Sequence, residues 1–149
     1  MLECTDAYWP LVLCYANGDI LPEDAEAWAR FDTRCSERAR SEGMKFVSLT
    51  ATGTRVAVDA ATRKRLSAHL NGRSKSEAEC RAAVHMVMQN AMIRGIVKAL
   101  SWLSTNKSTD RIQPHESLRA AIEAARRDLP GADVDWPAVQ RWYTKLERA

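Results

Sequence analysis

A chain of 149 residues, 46% hydrophobic and 28% charged, has the length of one domain and an ordinary globular composition. Its formal charge of +3 is too mild for a dedicated polyanion binder, but it is unevenly placed: residues 1–43 hold nine acidic and four basic side chains, the remainder ten and eighteen. Apolar runs fall short of the roughly 20 residues a membrane helix needs, and the first apolar run follows Glu3 and Asp6 with no basic region before it. These features predict a cytoplasmic protein without a membrane span. Cys4, Cys14, Cys35 and Cys80 are scattered, with no CxxC and no histidine at ligand spacing, so they read as buried thiols. No metal or cofactor is expected.

In chain order, Tyr8 to Tyr15 (YWPLVLCY) reads as a buried strand ended by a turn at Asn17 and Gly18. The next segment, LPEDAEAWARFDTRCSERARSEG, has Pro22 and acidic residues at its start and Gly43 at its end, the marks of a helix. Trp28, Phe31, Cys35 and Ala39 fall on one face of it. KFVSLTA reads as a second strand, broken by TGTR before a basic helix from about Asp59 to Leu70, with Leu66 and Leu70 turned inward. After a polar break, AAVHMVM is a third strand that places Val84, Met86 and Met88 on one face and His85 and Val87 on the other. Asn90 can cap the helix predicted beyond it.

Farther on, RIQPH is a weak edge strand because Pro114 removes a ladder donor. Leu118, Ala121, Ile122, Ala125 and Leu129 then trace an amphipathic helix stopped at Pro130. Asp135 can cap a last helix, about 136–147, with Trp136, Val139, Tyr143 and Leu146 in a stripe and Trp142 beside it. This alternation predicts one α/β domain, with a mostly parallel four-stranded sheet, helices packed on it and an extra C-terminal helix.

Chemistry-bearing patterns are sparse. His69, His85 and His115 accompany no nucleophile signature, and His85 reads as a packed strand histidine. The segment TATGTR lies between a strand and a helix, where open α/β sheets place ligands, which makes Thr50, Thr52, Thr54 and Arg55 candidates for an anion or for phosphorylation. The basic stretch from Arg55 to Arg81 lacks aromatic residues for base stacking, which counts against nucleic acid. Ala91, Gly95 and Ala99 form a small-residue register, with Arg94 and Lys98 as a basic ridge beside it. Together with Trp136, Trp142 and Tyr143 these are candidates for protein contact, a second copy included. The expected function is therefore a non-enzymatic regulatory or scaffolding module acting through a protein partner. The alternative is a small-molecule or anion-binding domain using the TATGTR segment.

The element order, with YWPLVLCYANGDILPED, MKFVSLTATG, AAVHMVMQNAMIRGIVKALSWL and HESLRAAIEAARRDL, resembles the STAS-like domains of the anti-sigma-factor-antagonist type, over about residues 8–129. That resemblance implies a single-domain bacterial regulator that binds proteins, in some members under control of a phosphorylated Ser or Thr at the start of a helix. The Asp-Ser-Ser-Gly-like acceptor motif is absent here, and only the threonines of TATGTR stand at a comparable place.

Overall fold

A computed structural model describes residues 1–89 and 112–149. Strands β1 (Leu2–Tyr8) and β2 (Leu11–Ile20) precede helix α1 (Pro22–Glu42), strand β3 (Phe46–Val58), helices α2 (Ala60–Gly72) and α3 (Lys75–Glu79) and strand β4 (Arg81–Val87). Strand β5 (Ile112–His115) and helices α4 (Leu118–Asp128) and α5 (Trp136–Glu147) follow. The five strands lie in one sheet in the order β1-β2-β3-β4-β5. The β1–β2 pair is antiparallel and the other three pairs are parallel. Among the described residues, no helix is long and apolar enough to cross a membrane.

The general α/β class is as expected, but the four-stranded sheet needs correction. The extra strand is β1, whose LECTDAY sequence is too polar to register as a strand on its own. It exists because a tight connection at Trp9 and Pro10 folds it back along β2. The strand expected to begin at Tyr8 therefore starts at Leu11 and runs to Ile20, through the Asn17–Gly18 pair expected to end it. There the β2–β3 register shifts, and Gly18 takes φ 68°, which glycine adopts without a Cβ clash. TGTR likewise does not break the second predicted strand; β3 carries straight through it.

Helix ends follow the local chemistry. The Asp24 carboxylate accepts from Leu21 N–H at 3.0 Å, and Gly43 closes α1 at φ 62°. Asp59, Ser117 and Asp135 accept from Thr62, Ala120 and Ala138 N–H at 2.6, 3.2 and 2.9 Å, so the cap expected at Asp135 is present.

Alternation along the strands divides the core into two layers. On one face, Leu11, Leu13 and Tyr15 of β2 and Val47, Leu49 and Ala51 of β3 pack with Ala121 and Ala125 of α4 and Val139 and Tyr143 of α5. On the other, Val12, Phe46 and Cys80 pack with Cys35 and Ala39 of α1, with Trp9 and Phe31 partly buried beside them. Helix α2 lies outside this second layer against α1. Its fully buried residue is Thr62, while Leu66 is half-buried and Leu70 is 43% exposed, so the inward pair expected there is not formed. The face that α2 turns to α1 is polar instead, carrying His69 to Asp32.

Candidate functional site

The β2–β3 ribbon carries most of the candidate ligand residues. Pairing between β3 and β4 ends at Ala51, whereas β3 stays paired with β2 as far as Val58. Beyond Ala51 the two strands thus run on as a ribbon, and Thr54, Arg55, Val56 and Ala57 are all exposed. Asn17, Gly18, Asp19 and residues 54–57 line a cleft of about 740 Å³.

Thr50 and Thr52 sit in strand register opposite Cys14 and Ala16, whereas Thr54 and Arg55 reach the cleft. The four predicted ligand residues are therefore in a strand and divided between sheet and cleft. Arg55 shares that cleft with Asp19, so it presents charges of both signs. Gly53, the glycine of TATGTR, has a local packing role: a Cβ there would clash with Asn17 Oδ1 and lie 2.8 Å from Tyr15 OH. Asn17 Oδ1 in turn accepts from Gly18 N–H at 3.1 Å, which fixes the amide against the bulge.

Of the residues expected to meet a protein, Ala91, Arg94, Gly95 and Lys98 lie outside the described residues, as does the helix expected after β4. Tyr143 is fully buried and its hydroxyl donates to Leu49 O at 2.6 Å. It holds α5 to the sheet and presents no surface to a partner. Trp142 meets the Tyr143 ring edge-on at 4.8 Å, and Trp136 and Trp142 are half-buried against the same core layer.

Two polar clusters, each built on a buried residue, escape sequence reasoning. Asp32 of α1, 3% exposed, pairs with Arg81 at the start of β4, with His69 Nε2 at 2.8 Å and with Arg73 at 3.7 Å. Arg81 also stacks on Phe46, 5.1 Å from the ring centroid. These contacts fasten α1, α2 and β4 at one corner, a structural use of buried charge whose partners are far apart in sequence.

In the second cluster, fully buried His85 Nε2 lies 2.6 Å from Asp128 Oδ2, and His85 Nδ1 lies 2.9 Å from His115 Nε2. An ionised carboxylate only accepts, so His85 Nε2 carries the proton. In neutral His85, Nδ1 is then an acceptor and His115 Nε2 donates to it. Burial and the neighbouring His85 and Arg127 lower the pKa of His115, while Asp128 opposes them. The result is an ordered Asp–His–His chain from the end of α4 to edge strand β5. Its faint sequence signal is His85 on the opposite strand face from Val84 and Met86, followed by a second histidine in the edge strand. No metal-holding group of three or more His, Cys, Asp or Glu residues occurs among the described residues. No family model, curated protein or solved structure matches the chain.

Proposed function

We propose that the chain is a non-enzymatic cytoplasmic regulatory module of the STAS-like kind, acting by binding a protein partner along the β2–β3 ribbon. The observation that carries this reading is the ribbon's exposure: four successive β3 residues, 54–57, stand open beyond the last β4 pair, Val56 among them at 40% exposed. Strand edges of this kind add a partner's strand through main-chain hydrogen bonds, with exposed side chains supplying selectivity. Leu21, which directly follows β2, is 47% exposed as well. The repeated strand-to-helix progression through β2, α1, β3, α2 and β4 supports the STAS-like part of the reading.

The test is affinity capture from native lysate with the wild type and a Val56→Lys variant, followed by amide exchange on the captured complex. The expected result is one stoichiometric partner that slows exchange at residues 54–57 and is lost by the variant at unchanged melting temperature. Equal capture by both proteins, or protection elsewhere, overturns the ribbon reading. A small anionic molecule co-purifying with the wild type and lost on Arg55→Ala substitution favours the second reading, a ligand in the cleft beside Arg55 and Asp19.

A further inference from the structure

Independently of the ribbon, we propose that Cys4 and Cys14 form a reversible redox-modification site, closing to an intrachain disulfide by exchange with a low-molecular-weight disulfide of the glutathione type. The two residues are register partners across the antiparallel β1–β2 pair. Met1 and Asn17 exchange both of their main-chain hydrogen bonds, at 2.9 and 3.0 Å. Hydrogen-bonded and non-hydrogen-bonded pairs alternate from there, which makes Leu2–Ala16 and Cys4–Cys14 non-hydrogen-bonded pairs. Such pairs bring Cα atoms to about 4.5 Å, the closer of the two spacings and within the roughly 4.4–6.8 Å that a disulfide bridges. The thiols already meet, with Cys4 Sγ 3.0 Å from Cys14 Sγ. Closure needs side-chain rotation and no movement of the strands.

The two thiols have different parts. Cys4 is half-buried and within reach of a small disulfide, whereas Cys14 is 5% exposed. The hydrogen bond with Cys4, burial and the charge of Cys4 all hold the Cys14 thiol protonated. Cys4 thiolate therefore attacks one sulfur of the small disulfide, forming a mixed disulfide and expelling one thiolate. Cys14 then gives up its proton, attacks the Cys4 sulfur and expels the second thiolate. Two protein thiols are oxidised and one small disulfide is reduced to two thiols, which take up the two protons. Cys35 is a natural bystander, since burial pushes its pKa up to about 12.

The bond would tie edge strand β1 to β2, next to the point where Met1 N–H groups meet the Asn17 and Asp19 carbonyls of the ribbon. The experiment equilibrates the native, reduced full chain across glutathione buffers, quenches with acid, and reads intact mass and maleimide-reactive thiols. Wild type is expected to lose two reactive thiols and the mass of two hydrogen atoms as a monomer. Its melting temperature is expected to rise by roughly 5 °C, as for a short closed loop in a domain of this size. Cys14→Ser is expected to stop at a glutathione adduct on Cys4, and Cys4→Ser to keep its remaining thiols. Cys14→Ala gives the same readout as Cys14→Ser should the buried serine fold poorly. Closure that persists in Cys4→Ser overturns the proposal, as does a wild type that accumulates the adduct without closing. A wild type that keeps all four thiols overturns it too.

Discussion

Substituting Tyr143 by Phe and by Ala separates the hydrogen bond that anchors α5 from the packing around it. The hydroxyl is fully buried and donates to Leu49 O at 2.6 Å, so Tyr143→Phe removes the donor and leaves a main-chain acceptor in the core. The cost is about 1–2 kcal/mol. Tyr143→Ala also empties the space between Val139, Leu49 and Tyr15, for about 3–5 kcal/mol. At roughly 2–4 °C per kcal/mol in a domain of this size, Tm falls by about 2–8 °C for Phe and by about 6–20 °C for Ala. Urea unfolding followed by tryptophan fluorescence measures both, with Trp142 edge-on to Tyr143 as a local reporter. Burial and the nearby Cys14 and Cys4 push the Tyr143 hydroxyl well above the usual tyrosine range. The folded state thus keeps a proton that the unfolded chain releases above about pH 10, and this stabilisation, intact below that pH, is lost as pH rises further. The Cys14 and Cys35 thiols add a similar loss from a lower pH in wild type and Phe variant alike, so the difference between the two isolates Tyr143. That difference should shrink above about pH 10. An Ala variant within about 0.5 kcal/mol of wild type would show that α5 is not docked as described.

Asp32→Ala should cost about 3–5 kcal/mol, because the carboxylate shared by Arg81, Arg73 and His69 is deeply buried. Glu26→Ala, which loses a half-exposed pairing with Arg65, should stay within about 1 kcal/mol in the same denaturation series. Gly53→Ala should cost about 1–3 kcal/mol through the Asn17 and Tyr15 contacts, and an Asn17→Ala background should recover part of it in a double-mutant cycle. His115 has a lowered pKa, so its contribution is present above about pH 6.5 and is lost as pH falls through its folded-state value. His115→Gln should flatten the acid limb of a stability–pH curve there, and an unchanged limb would refute the role given to His115.

Elements with one dominant periodicity were legible in the sequence. Helix α4 places Ala121 and Ala125 inside, with Leu118, Ile122 and Leu129 flanking them, and α5 buries Val139 and Tyr143 from its predicted stripe. Strand β1 was not legible because an antiparallel edge strand needs only a neighbour and a turn, and LECTDAY carries neither alternation nor a branched run. The Asn17–Gly18 and TGTR segments misled for a common reason: residues that favour turns also favour bulges, and only cross-strand pairing separates the two. The candidate site was legible in part. Arg55 and Thr54 reach the cleft, but its Asn17–Asp19 wall comes from another strand. The Asp32 and His85 clusters depend on residues 37 to 49 and 30 to 43 positions apart, respectively, which no local pattern encodes.

The charge asymmetry of the chain has a local resolution that bears on its assembly. The acidic N-terminal region and the basic remainder can attract each other within one chain or between two copies. In the structure the first arrangement is realised along α1: Glu26 pairs with Arg65 of α2, and Asp32 pairs with His69, Arg73 and Arg81. The Asp32 contacts are largely shielded from water, so salt screens them far less than it screens surface pairs. A carboxylate held in this way has no second interaction to offer a neighbouring molecule. Charge complementarity between the two regions thus contributes to packing α2 and β4 against α1. The exposed Thr54–Ala57 edge carries main-chain groups and Val56, and a contact made there would be weakened little by salt. Partner binding that persists in high salt and is lost on Val56→Lys substitution fits that edge; binding abolished by salt alone points back to the charged faces.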